Sequence, residues 1–597
     1  MLVGPVFTRE IATAPRNWRL YFLRGVYVAA LFGLVCTAWL IVFGSQPVRT
    51  LGDLARFGAA VFSLLAPVQL AVAMGFSALL TAAAVAQEKD RRTLDLLLMT
   101  RMTNSELVIG KLLASMLSVL VVILAAVPLL MLLTLLGGVS HSQVARVVGV
   151  TLAAAIAAGS LGSTLALWRE KTFQTLATTA LALMLWLLLG EAVAAGVLGE
   201  TWFGAPAVEW AEAINPVRAI FAAARPAVST AAMIPAAPWL GDAPRLFVIL
   251  AVAFTLLLNA LAIARVRVWN PTRETRQQSD EEVDAAATDV DSAARRSVHA
   301  APGKTREVWD NPILWREIRT WAYGKKVIFV RVAYLLIFAA CAWGMAQALQ
   351  AEAPTYGMSM PAAAQPLIPL FIIGLILVNA LAVTSLTNER DSKALDLLLV
   401  TDLTPKEIIF GKLGGIFYNA KEMIALPALL CLGVWLFGFI SGENLVFLLL
   451  SFTVLNSFVA VLGVHCGMIY ENSRMAVAVS LGIILFLLLG VAVCMRMMVA
   501  FQAEFDYQLQ AFGAFMLGGG VGLLFALGRR NPSPAIWWTS MLAPLVTFLA
   551  IVNFLRMSYG AAAMVTVMMY AFATASMLIP AVYEFDVATG RTTAKDI

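Results

Sequence analysis

At 597 residues, 61% hydrophobic and only 13% charged, the chain lies outside the composition of soluble globular proteins. Its apolar runs of about 18 residues or more recur along the whole length, which points to a polytopic membrane protein. The net charge of +6 could suit a polyanion, but Lys and Arg sit roughly four to one on alternate connections, which is the positive-inside pattern. No basic stripe carries interleaved aromatics, so a nucleic-acid partner is excluded from the reading.

In chain order, "MLVGPVFTREIATAPRNWRLYFLRG" has no apolar core ahead of its charges. It reads as an interfacial helix rather than a cleavable signal. Spans are predicted near 23–43, 58–86, 107–136, 144–168, 173–198 and 244–266. An outer segment, about 199–243, is rich in Trp, Pro and Gly and is expected to pack on the outer face. The stretch 271–310 has few large apolar residues and many charges, and reads as a disordered cytoplasmic linker. A second set of spans is predicted near 327–349, 366–387, 407–440, 445–469, 474–498 and 511–528. Residues 531–597 hold an additional hairpin and a C-terminal tail. Cys36, Cys341, Cys431, Cys466 and Cys494 all fall within spans, with neither metal-ligand nor disulfide spacing.

The halves repeat. "GPVFTREI" aligns with "NPILWREI" at a shift of 307, which pairs Arg9 and Glu10 with Arg316 and Glu317. "EKDRRTLDLLLMTRMTNSELVIGKL" aligns with "ERDSKALDLLLVTDLTPKEIIFGKL" at a shift of 301, with 13 of 25 positions identical. An even number of spans per half makes the repeats parallel. The fold class is therefore all-α and polytopic: modules over 1–270 and 311–530, a linker between them and a terminal hairpin, about 14 spans in all.

Read locally, the repeated line is a helix, a stop and a new helix. Thr103 and Glu106, like Thr404 and Glu407, form a capping box, and Pro405 takes the favoured first helical position. Leu94, Leu97 and Leu98, and Leu395, Leu398 and Leu399, fall at helical spacing, with Asp90, Asp95, Asp391 and Asp396 turned away. A short amphipathic surface helix over "DRRTLDLLLM" and "DSKALDLLLV" is expected. Lys111 and Lys412 are expected to snorkel towards headgroups. A positive-inside loop needs basic residues, not aspartates in register, so the two ledges read as docking surfaces for a two-fold partner.

The motif Glu-Lys-Asp-x-x-Thr-Leu-Asp-Leu-Leu-Leu-x-Thr, followed by Glu-x-x-x-Gly-Lys, resembles the signature of ABC-2 type transporter permeases. The resemblance covers both halves up to about residue 530. It implies a coupling helix received by a separate cytoplasmic ABC ATPase, in two copies. Glu88, Asp90, Leu94, Asp95, Leu98, Thr103 and Glu106 would serve that role, as would Glu389, Asp391, Leu395, Asp396, Leu399, Thr404 and Glu407. Arg9, Glu10, Arg316 and Glu317 would belong to the family's interfacial connecting helix. ATP and Mg would sit on the partner, with no cofactor in this chain. The implied setting is the inner cell membrane, both termini cytoplasmic, with export as the family-level direction and room for further membrane or periplasmic subunits. The fusion of two modules and the extra hairpin depart from the usual single module.

Two other readings compete with this one. A gradient-driven carrier should place ionisable groups at mid-depth, and the spans offer few: Lys421 and Glu422, Glu191 and His465. For Lys421 and Glu422 a local structural role is the expectation. An intramembrane enzyme would need a nucleophile–base set or metal cluster, and none is readable. "APGKT" at 301–305 is the nearest approach to a phosphate loop, but residue 298 is Val and the setting is a polar linker.

Overall fold

A computed structural model describes residues 5–13, 18–45, 50–226, 241–271, 308–319, 327–351, 364–501, 505–530, 533–583 and 585. Most of the linker, the C-terminal tail from 586 and the side chain of Glu10 lie outside them. Among the described residues, 14 helices are long and apolar enough to cross a membrane. The chain is an all-α polytopic membrane protein.

The first half runs α1 (Pro5–Thr13), α2 (Trp18–Ser45), α3 (Leu51–Asp90), α4 (Thr93–Leu98), α5 (Asn104–Thr134), α6 (His141–Trp168) and α7 (Thr172–Ala194). A two-residue hairpin (β1, Thr201–Trp202; β2, Ala205–Pro206) leads to α8 (Ala207–Ile214), α9 (Pro216–Ala224) and α10 (Ala243–Trp269). The second half runs α11 (Pro312–Arg319), α12 (Val327–Ala351), α13 (Leu367–Asp391), α14 (Ala394–Leu398), α15 (Pro405–Leu436), α16 (Gly442–Ile469), α17 (Ser473–Phe501) and α18 (Phe505–Leu527). The last pair is α19 (Pro534–Leu555) and α20 (Tyr559–Tyr583). α3 starts earlier than the hydropathy suggested because Thr50 and Asp53 close a capping box there.

The repeat is written into the backbone. Thr103–Glu106 and Thr404–Glu407 both close reciprocal boxes, and Ser140 and Ser441, again 301 apart, cap α6 and α16. Gly137 and Gly438, at the same shift, both take left-handed φ, +81° and +80°. Within each half the second span lies along the fourth, and a glycine sets the approach: a Cβ on Gly162 would lie 2.5 Å from the Ala78 carbonyl oxygen, and one on Gly463 2.9 Å from that of Asn379. Small residues permit this closeness between spanning helices. Asn379 donates to the Val459 carbonyl at 2.8 Å and accepts from Ser480 at 2.9 Å, so the buried amide is satisfied within the core.

The halves meet through a crossed pair of contacts: α3 lies on α17, and α13 lies on α7. One apolar cluster spans both, with Ala82, Phe173 and Leu176 packed with Leu377, Leu381 and Ile484.

The partners of the sixth span differ between halves. α10 packs along α6 and α5, whereas α18 crosses to α2 of the first half. The place of α10 is taken by α20, which packs along α16 and α15. In packing, the hairpin without a counterpart is thus α18–α19, which follows α17 just as α8–α9 follow α7. Gly520 allows its close contact: a Cβ there would lie 3.1 Å from the Ser540 carbonyl oxygen.

The scattered ionisable groups each find a local partner. Glu422 pairs with Arg331 at 3.4 Å, and Lys421 sits 4.5 Å over the Tyr418 ring, in keeping with the structural role expected. Glu191 takes a two-pronged contact from Arg218 (2.9 and 2.6 Å), and His465 Nε2 bonds the Leu527 carbonyl at 3.0 Å.

Candidate functional site

The repeated line forms one end of the bundle, the charged end, and its backbone course is the same in both halves. α3 and α13 run on as far as Asp90 and Asp391, so the surface helices are shorter than the ten residues expected. The break comes at Arg92 and Lys393, whose φ values of +58° and +59° are left-handed. Such backbone is uncommon outside glycine, and its recurrence 301 residues apart shows one turn built twice. Four or five residues then separate each short helix from the capping box that opens α5 or α15.

α4 is held down by Leu94, 1% exposed, and Leu98, which pack with Val85, Leu107, Leu167 and Val266. α14 is anchored by Leu395, with Leu399 partly buried beside it. These leucines, expected among the coupling residues, therefore face inward. The outward faces carry Asp95 with Leu96 (65% exposed) and Met99, and Asp396 with Leu397 (74% exposed) and Val400. The sequence reading passed over the two apolar pairs. The signal was available, since a helix that buries i and i+4 turns i+2 outward.

Asp90 and Asp391 do not join those outward faces. Asp90 accepts from the Thr172 hydroxyl at the start of α7, and Asp391 accepts from Arg91 Nε across the halves at 3.2 Å. Gln87 donates to Asn472 at 3.0 Å, a second bridge between halves. Lys89 donates to the carbonyls of Leu167 and Arg169, and its counterpart Arg390 to those of Gly467 and Tyr470, tying the foot of each second span to the end of the fourth.

The expectation for Lys111 and Lys412 is corrected. They are 7% and 1% exposed, and neither reaches for headgroups. Lys111 pairs with Glu88. Lys412 Nζ lies 2.6 Å from both Glu317 and Glu389 and 3.2 Å from the Ser385 carbonyl. The carboxylate about half a turn from the end of the adjacent span is nearer than any headgroup, and a buried ammonium needs such a partner. Glu88 and Glu389 thus serve the interior rather than a docking face.

Glu317 comes from α11, so the second-half cluster joins three elements: connecting helix, second span and third span. Arg316 completes it on Glu389. Burial draws the Arg316 guanidinium down, but Glu389 and Glu317 outweigh it, and its pKa stands above the ordinary arginine value. With two cations and two carboxylates the cluster is neutral. α11 seats against α15 where Gly415 lets it come close: a Cβ there would lie 2.5 Å from that of Glu317. In the first half α1 likewise packs on α5, and Arg9 is solvent-facing.

Between the two ledges lies a polar cavity of about 860 Å³, lined from one half by Lys89, Arg91 and Asp95 and from the other by Glu389, Asp391 and Lys393. It reaches inward to Thr384, Ser385 and Lys412, beyond which the shared apolar core closes. Among the described residues no group of three or more His, Cys, Asp or Glu could hold a metal ion.

Two parallel repeats, crossed at their second and fifth spans and parted at one end by a polar vestibule, define a membrane protein of transporter-like architecture. Compared with family models, curated proteins and solved structures, the chain finds no match.

Proposed function

We propose that the protein is the membrane permease of an ATP-binding-cassette transporter of ABC-2 type, an exporter, driven by a separate cytoplasmic ATPase in two copies. The observation that carries this reading is the duplicated ledge: left-handed turn, short helix, capping box, with an acidic and two apolar side chains outward in each half. A loop that merely held positive charge inside would have no reason to turn leucines inward and expose two apolar side chains at the same register twice. Each ledge is fixed to the second and third spans by leucines and by the Lys111 or Lys412 pairs, so a force applied to α4 or α14 passes into the spans as a rigid-body movement. Movement of the ledges towards each other would compress the vestibule and strain the Arg91–Asp391 bridge. In this orientation the charged end is cytoplasmic, as the basic connections favour.

A second reading has one observation in its favour. Buried ionisable groups mark proton and ion paths in carriers, and Lys412 with Glu317 and Glu389 is such a group. A gradient-driven carrier would use that cluster as its coupling site and need no ATPase.

The test is to purify the chain with candidate cytoplasmic ATPases and to follow co-elution and ATPase activity in lipid, comparing wild type with Asp95→Lys and Asp396→Lys. The permease reading expects an ATPase to co-elute with wild type and to be lost with either reversal while the chain keeps its fold. Retention of a bound ATPase by both variants would refute the docking site. Absence of any ATPase, together with transport that follows an imposed ion gradient, would establish the second reading instead.

A further inference from the structure

The unmatched hairpin α18–α19 encloses a cavity that no part of the coupling machinery uses. It lies between α17, α18 and α19, with α20 behind, and its walls are almost wholly apolar; Phe486, Phe512, Phe515 and Phe548 supply much of them. The rings pair at its edges, Phe486 with Phe515 at 6.3 Å and Phe512 with Phe548 at 5.3 Å between centroids. Its free volume is about 100 Å³, and an engineered dry apolar cavity of about 150 Å³ takes up benzene.

Shape, depth and polarity each narrow the occupant. The lining runs on α19 from Thr539 to Ile551 and on α17 from Ile483 to Cys494. At the helical rise the lining extends over about 16–18 Å, more than about 100 Å³ of enclosed space can fill, so the slot is a shallow groove open along its flank that suits a thin, extended molecule and not a compact one. One flank opens on the outer wall of the bundle, where Phe486 is 40% exposed. A membrane-spanning wall faces hydrocarbon there. Its polar lining lies at two levels: Thr539 and Ser540 near one end, and farther along Thr547 and Tyr570, which satisfy each other at 2.9 Å. Thr539 is satisfied by Ser576 at 2.8 Å, but the fully buried Ser540 hydroxyl has no hydrogen-bond partner. Buried hydroxyls are ordinarily paired. α19 starts at the charged end, and Ser540 is seven residues inside its cap at Ser533, about 10 Å by the helical rise. That depth is near the boundary between headgroup region and hydrocarbon.

We propose that this slot binds one acyl chain of a membrane phospholipid. The chain enters past Phe486, its ester carbonyl accepts the Ser540 hydroxyl, and its methyl end reaches towards Phe548 and Ile551. The inserted hairpin is then a lipid-holding element, tied on its far side to α2 of the first half. The inference stands whether or not the chain couples to an ATPase.

The experiment uses the full chain in nanodiscs of phosphatidylcholine carrying a diazirine near the end of one acyl chain, with photolabelled peptides mapped by mass spectrometry. Wild type is expected to concentrate label at the methyl end of the slot, around Phe548 and Ile551, at least fivefold above the bilayer-facing surface of α10 around Leu256 and Leu257. Gly490 lines the slot, and a Cβ there meets no atom within 4 Å, so Gly490→Phe should fill the space without a backbone clash. It should remove the slot label and leave the α10 label unchanged. Ser540→Ala should spread the label along the slot, because the ester end is no longer fixed. Slot labelling no stronger than that of α10 in wild type overturns the proposal without recourse to any variant. So does undiminished slot labelling in a folded Gly490→Phe protein.

Discussion

Lys412 gives the sharpest quantitative test of the interior of the charged end. Replacing it with Met removes the ammonium from a site 1% exposed and leaves Glu317 and Glu389 facing each other beside Arg316. Breaking a buried ion pair by removing one partner costs about 3–5 kcal/mol, most of it the uncompensated charge left behind. The first-half counterpart is less enclosed, since the Glu88 side chain keeps 35% of its exposure and can be rehydrated. Lys111→Met should therefore cost about 1–2 kcal/mol, in the range for one unsatisfied polar group. The gap of about 2 kcal/mol corresponds to roughly 30-fold in the folded ratio. The assay is reversible unfolding by SDS titration in mixed micelles, followed by tryptophan fluorescence. The triple change Lys412→Met, Glu317→Gln and Glu389→Gln should recover much of the loss, because neutralising the stranded carboxylates removes its cause. Equal costs at the two lysines, or no recovery in the triple variant, would refute the argument that burial of the charge sets the energetics.

Gly162→Ala and Gly463→Ala each push a Cβ into backbone of the facing span and should destabilise by about 1–3 kcal/mol, the usual cost of overpacking, to similar extents in the same titration. Thr103→Ala and Thr404→Ala remove the N-caps of α5 and α15 and should each cost about 1 kcal/mol, with faster hydrogen exchange confined to the first turn of the affected helix. Arg91→Cys with Asp391→Cys should cross-link the halves in the state seen here, and the yield should fall when a nucleotide-loaded ATPase is bound. Thr100→Cys and Thr401→Cys, both exposed, should react with an impermeant maleimide from the same side, the cytoplasmic one in the proposed orientation. Opposite reactivity would overturn the parallel arrangement.

The sequence carried what depends on local chemistry. Fourteen apolar runs became, among the described residues, 14 helices long and apolar enough to span, and both repeated capping boxes formed at the residues that spell them. It could not carry the left-handed turn at Arg92 and Lys393, because neither residue type favours positive φ, and only the fold makes it tolerable. Lys111 and Lys412 were misplaced for a different reason: a long basic side chain near a helix start fits the headgroup region and a buried carboxylate equally well, and the choice depends on which helix comes alongside. The short helices form within the repeated line and Asp95 and Asp396 face outward as expected, but the apolar residues on that same face were not foreseen. Leu96 and Leu397 lie on the opposite side of the helix from Leu94 and Leu395, so one run of leucines serves two faces. The exchange of places between α18 and α20 had no sequence signal at all. Helices apolar on every side can pack in several orders, so partners are decided by small residues such as Gly520 and by the length of the connections.

That exchange bears on how two equal ledges work in an unequal molecule. Arg267 at the end of α10 reaches the first ledge, donating to Asn104 at 2.8 Å and to the Leu98 carbonyl at 3.2 Å. At the second ledge the corresponding helix is α20, whose Tyr583 ring lies 5.4 Å from Lys406 Nζ. The first contact is a charged fork on backbone at the end of α4, and the second is a single ammonium over an aromatic face on the first turn of α15. Removing the fork exposes carbonyls of the ledge itself, whereas removing Tyr583 leaves α14 untouched. Arg267→Ala should therefore loosen α4, seen as faster hydrogen exchange over 93–99. Tyr583→Ala should leave exchange over 394–400 unchanged. If the ledges dock two copies of one ATPase, the first docks on a braced helix and the second on a freer one, so Arg267→Ala should weaken ATPase retention more than Tyr583→Ala does. Equal sensitivity would mean that the spans themselves, rather than the sixth-position helices, hold both ledges in place.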